Sequence, residues 1–162
     1  MLTYHTSSCV RVFKLSEAEK KIVFLEHVSD VLFEAHGASF QEALENAAFA
    51  MFETIADPAK LGESKKFVVE ETADSLEELA VFVLGKLLSE SNASEVFLKR
   101  FKVVDFREEK KAGSKTFLVK GIAFGSPATR EAGRTDVKAV TFHEARVEKR
   151  GEEWVIRILL DI

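Results

Sequence analysis

The sequence is poor in the features that mark several common classes of protein. It has one cysteine, Cys9, in 162 residues, so no disulfide forms within the chain. Residues 1–12 lack the basic start and the apolar core of a secretory signal. A single cysteine and no signal together point to the cytoplasm. Long apolar runs are missing too. The nearest, residues 79–88, is too short for a membrane span and is broken by Lys86. Positive charge is also in short supply. The 23 Lys and Arg stand against 27 Asp and Glu, a net charge of −4 with His neutral. That argues against a broad grip on nucleic acid, which needs a basic face. There is no glycine-rich phosphate loop, no Cys/His zinc spacing and no serine nucleophile elbow. With four histidines and no recognisable nucleophile–base pair, a stand-alone enzyme is poorly supported.

What is present reads as one folded domain. Apolar residues make up 46% and charged residues 31%, ordinary values for a globular protein. A chain of this length buries roughly two-thirds of its unfolded surface. Short apolar runs at 22–25 and 31–35 read as strands, with Gly37 ending the second. Ser39 and Glu42 form a capping box, and Phe40, Leu44, Ala47, Ala48, Met51, Phe52 and Ile55 follow at helical spacing. Asp57-Pro58 stops that helix. A strand begins at Phe67. Ser75 and Glu78 offer a second capping box, with Leu76, Leu79, Ala80, Val83, Leu84, Leu87 and Leu88 as the stripe behind it. Beyond Asn92 the pattern is β: one or two strands over 96–104, then 116–124, 137–147 and 154–160. A turn at 111–114, a polar loop at 125–136 and a turn at 149–152 separate them. Helices early and strands late predict an α+β fold, a compact single domain with two amphipathic helices packed on a largely antiparallel sheet. The expected boundaries are an N-terminal extension over 1–20, of undecided order, and a domain over 21–162.

Four segments carry candidate chemistry. The first, Glu26-His27-Val28-Ser29-Asp30, joins two apolar strands. Asp and His both ligate divalent metals, while a plain polar turn capped by Asp30 fits the same residues. The second is the C-terminus. An apolar strand delivers Asp161 one residue from the expected α-carboxylate of Ile162, and two anchored oxyanions need a cation or donors nearby. A solvated tail is the alternative. Asp30 and Asp161 make one carboxylate site only where the fold joins the first turn to the last strand. The third segment is 136–144. Strict alternation puts Val137, Ala139, Thr141, His143, Ala145 and Val147 on one face. Lys138 then falls on the other face from His143 unless a bulge intervenes. Arg130 and Arg134 in the polar loop suit phosphate, or a soluble loop.

Together these segments resemble the archease family from about Phe24 to Ile162. The resemblance rests on residues 24–31 (Phe-Leu-Glu-His-Val-Ser-Asp-Val), Gly37-Ala38-Ser39 leading into 42–48, Ala50-Met51-Phe52, residues 73–79, the Val-Lys-Ala-Val-Thr segment within 136–143, and Leu160-Asp161-Ile162. Phe142 stands where the family often has Tyr, and Ser126 follows Gly125 where many members have Glu. The resemblance implies a non-catalytic activator of the RtcB-type RNA ligase, which joins tRNA halves using GTP and Mn²⁺. It implies help with guanylylation of the ligase and with multiple turnover. It also implies a metal site on Asp30, Asp161 and Ile162, with Ca²⁺ in structures of the family and Mg²⁺ or Mn²⁺ as alternatives. Lys138 is implied as a functional residue. His27 and His143 belong to the motifs without an assigned role. The expected partner is the RtcB-type ligase, with no direct nucleic-acid binding and no membrane. Two other readings compete. One is a metal-dependent phosphohydrolase using Asp30, His27 and Asp161. The other is a chaperone-like modulator of RNA-processing proteins.

Overall fold

The computed structural model describes residues 21–162; the expected extension at 1–20 and Cys9 lie outside the described residues. Its elements run β1 (Ile22–Leu25), β2 (Asp30–Gly37), α1 (Phe40–Ile55), β3 (Lys65–Ala73), α2 (Leu76–Ala93), β4 (Val96–Lys111), β5 (Ser114–Pro127), β6 (Ala139–Arg150) and β7 (Glu153–Asp161). The strands form two antiparallel sheets, β1-β2-β7-β6 and β3-β5-β4. Each helix touches strands of both sheets, so the helix pair is the middle layer. The α+β reading holds, with the antiparallel strands divided between two sheets.

Both helices begin where the capping boxes place them. Ser39 Oγ accepts from the Glu42 amide and Ser75 Oγ from the Glu78 amide, each at 3.1 Å. These bonds satisfy amides that the first helical turn leaves unpaired. Glu42 Oε2 accepts in return from the amide of Ala38 at 2.7 Å, one residue earlier than the usual reciprocal bond. The entry to α1 is tight. A Cβ on Gly37 would lie 2.4 Å from the Ala43 amide nitrogen, so only glycine lets β2 meet the helix there.

One apolar core joins the layers. Phe33, Leu44, Met51, Phe52, Leu79, Leu84, Leu87, Ile156, Ile158 and Leu160 are its largest fully buried members. Phe40 on α1 lies between Phe106 of one sheet and Trp154 of the other, with ring centroids 5.1 and 6.2 Å away. Residues 96–104, read as one or two strands, belong to a single strand carrying two bulges, after Leu98 and after Val103. Glu45 of α1 accepts from the Val103 amide at 2.9 Å, next to the second bulge. The polar loop starts later than its sequence suggests, because β5 continues through Gly125 and Ser126 to Pro127.

Candidate acidic site at the β2–β7 rung

The first turn and the last strand do meet. β2 and β7 are the central strands of the four-stranded sheet, and Asp30 is the register partner of Asp161. Register partners share a face, so two carboxylates stand side by side across the ladder. β6 flanks the pair, with Ala139 opposite Asp161. The Lys138 amide donates to the Asp161 carbonyl at 2.8 Å. Its ammonium donates to the main-chain oxygen of Ile162 at 3.2 Å. Lys138 therefore sits at the same end of the sheet as both aspartates, immediately before β6.

The turn before Asp30 is shaped around it. His27 Nδ1 lies 3.5 Å from Asp30 Oδ2. Ser29 takes a left-handed backbone with φ 68°, a conformation that costs a non-glycine residue about 1–3 kcal/mol. Val28 at the tip is 87% exposed. His143 does not join this group. It is exposed and lies inside the β6 bulge, where pairing with β7 breaks between Thr141 and Arg146 and Glu144 is left-handed at φ 62°. The alternation expected along β6 fails for the same reason. Of the loop arginines, Arg134 is held by structure: its guanidinium donates to the Glu53 carbonyl at 3.0 Å and lies 3.5 Å from Asp57.

A second charged group on the same face was not singled out from the sequence. Glu34 is 8% exposed and is the register partner of Arg157. Both Arg157 and Arg150 donate to its carboxylate, at 2.8 to 3.2 Å. Burial pushes the Glu34 pKa up, but the hydrogen bonds and charges of Arg150 and Arg157 outweigh it and hold the group below the ordinary carboxylate value. The signal was an acid in the middle of the apolar run of β2 and a lone base in the middle of apolar β7.

The chemistry of the acidic rung is that of hard oxygen donors. Among the described residues, no cluster of three or more His, Cys, Asp and Glu side chains is placed to hold a metal ion. The donors are instead two carboxylates and a main-chain oxygen. Such a set suits Ca²⁺, Mg²⁺ or Mn²⁺, and Mg²⁺-like ions bind through one or two carboxylates while keeping several waters. Asp30, Asp161 and Ile162 are the residues that could hold such an ion.

The model of the Archease protein family (MTH1598/TM1083) matches residues 23–162. The chain belongs to the archease family. Among curated archeases it is 36% identical to that of Methanosarcina mazei and 34% identical to that of Methanosarcina acetivorans, each alignment covering 88% of this chain and 97% of the relative. The solution structure of protein 1598 from Methanobacterium thermoautotrophicum superposes with a TM-score of 0.71 at 28% identity, over 88% of this chain and 99% of that one. An archease crystal structure from Thermotoga maritima, described as a possible chaperone, gives a TM-score of 0.53 at 17% identity over 85% and 94%. That more distant likeness concerns the fold alone. Within this archease domain, no described helix is long and apolar enough to cross a membrane.

Proposed function

We propose that this archease is a non-catalytic protein activator of an RtcB-type RNA ligase in tRNA splicing. It promotes guanylylation of the ligase and its repeated turnover. The observation that carries this reading is the Asp30–Asp161 rung. Like charges directly opposite in a ladder are destabilising, and no arginine stands across this rung as one does at Glu34. A chain that sets two carboxylates together gives up stability, and such local conflicts concentrate at functional sites.

Asp30, Asp161 and the Ile162 main-chain oxygen hold a divalent cation, and a cation there supplies positive charge that anionic groups of a partner recognise. His27 limits the directions open to the Asp30 carboxylate. Lys138 ties the segment before β6 to Ile162 and offsets part of the negative charge. Val28, exposed beside the rung, offers an apolar contact. These groups bind and orient; none is placed as a nucleophile with its base. Charge complementarity of this kind suits a transient encounter that shifts the ligase toward its guanylylation-ready state.

The test is ligase guanylylation and RNA joining with the ligase substoichiometric to RNA. Wild type should stimulate both, and Asp30→Ala and Asp161→Ala should not, while circular dichroism shows both variants folded. Full stimulation by either variant would remove the rung from the mechanism. No stimulation by wild type of an active cognate ligase would favour the chaperone reading, the description that the Thermotoga maritima neighbour bears.

A further inference from the structure

Among the described residues the two sheets have four edge strands, and three of them are blunted. β1 is four residues long. β4 carries two bulges and β6 one. Short length and bulges are two of the devices by which sheets avoid pairing with other chains. β3 is the exception in shape; the device it carries is charge, which turns away strands that do not set acids opposite Lys65 and Lys66. It runs for nine residues in unbroken register with β5, and among the described residues no strand pairs with its outer side. It also carries Val68 at 58% exposure.

The charges of β3 specify what fits this edge. Its sequence is Lys65-Lys66-Phe67-Val68-Val69-Glu70-Glu71-Thr72-Ala73, basic at the start and acidic after the centre. Two copies laid antiparallel with Val68 on the two-fold axis set Lys66 opposite Glu70 and Lys65 opposite Glu71, each twice by symmetry. Lys66, Val68 and Glu70 then line the outer face of the joint, and Phe67 and Val69 meet on the core side. Lys65 and Glu71 also fall on the core side, where Glu71 already acts on Lys86 of α2, so the Lys66–Glu70 pairs carry the match. A slip of two residues puts Lys66 opposite Val68 or Thr72 and loses the pairs. Parallel pairing sets lysine on lysine. The lysines are available: Lys65 and Lys66 have no ion-pair partner among the described residues, and Glu70 has only Lys120 at 4.0 Å, the limit of an ion pair.

We propose that β3 is a self-association edge, through which two copies of this chain join their three-stranded sheets into one six-stranded sheet. The contact is isologous, as a two-fold dimer requires. A strand pair with its flanking side chains is smaller than the standard stable interface of about 1,600 Å². The dimer is therefore reversible and concentration-dependent. It lies on the other sheet from the acidic rung and does not depend on the ligase reading.

The test is sedimentation equilibrium of the full chain, wild type against Lys66→Glu and Glu70→Lys. Wild type should dimerise reversibly. Each variant alone places like charges opposite each other twice and should weaken the dimer by about tenfold or more. An equimolar mixture of the two variants restores opposite charges at both positions and should dimerise like wild type. That rescue also separates the effect from misfolding and from contact between residue 70 and Lys120. A wild type that stays monomeric at millimolar concentration overturns the proposal. So do variants that dimerise like wild type, or a mixture that does not recover.

Discussion

Glu34 and Asp30 stand four residues apart on one strand and one face, and the residue across the ladder decides what each does. Arg157 faces Glu34, and Arg150 reaches it from β6. The pair of guanidiniums holds a nearly buried carboxylate in its charged form. Because its folded pKa is lowered, the Glu34 contribution is complete above the ordinary value of 4.5 and fades as pH falls through the lowered value. Glu34→Gln should cost about 1–2 kcal/mol at neutral pH, since the partly buried Arg157 and the more exposed Arg150 both lose a charged acceptor that is itself nearly buried. It should also lose less stability than wild type on acidification to about pH 3. Urea unfolding at both pH values reads the difference. Parallel losses in the two proteins would show that Glu34 is not what acid attacks.

At the scale of elements, local physics was readable and non-local pairing was not. Ser39 and Ser75 marked both helix starts because a cap is a contact between residues three apart. Gly125 misled: it reads as the start of a loop, yet it lies inside β5. It is glycine because a Cβ there would come within 2.2 Å of the Phe97 carbonyl oxygen on β4, a neighbour 28 positions away that no local pattern reveals. The β6 bulge was likewise invisible, since Thr141, Glu144 and Arg146 are ordinary strand residues and the break appears only against β7. Asp30 and Asp161 were each noticed, but their meeting is a pairing between the two ends of the domain. The β4–β5 turn offers a clean element-level prediction. Ala112 and Gly113 form a two-residue loop between Lys111 and Ser114, with φ 49° and 82°. Positive φ at both positions is the hairpin geometry that favours Asn-Gly. Ala112→Asn should raise stability by about 0.5–1 kcal/mol. Its urea midpoint should rise at unchanged slope, and a fall would contradict the left-handed turn.

For the whole molecule, the role proposed for the acidic rung is tied to global stability. β2 and β7 are the central strands of the sheet that bears it, and both pack core residues against the helix layer. Any ligand that binds only when these strands are paired must stabilise the entire fold by mass action. A divalent cation held by Asp30, Asp161 and Ile162 at a hundred times its dissociation constant adds about 2.7 kcal/mol. For a chain of this size that is a rise in melting temperature of roughly 5–10 °C. Thermal unfolding of wild type with added Ca²⁺, Mg²⁺ or Mn²⁺ should show the rise for at least one ion, and a chelator should reverse it. Asp161→Asn removes one carboxylate and the like-charge contact together, so its melting temperature should hardly depend on the ion. Lys138→Gln separates the two roles open to that lysine. As a counter-charge for the site, its loss leaves more negative charge at the rung, and the ion-induced rise should grow. As a mere tether of Ile162, its loss should lower the melting temperature equally with and without the ion. A wild type whose melting temperature ignores all three ions would show that the rung binds none of them, and its two carboxylates would then act on the partner directly.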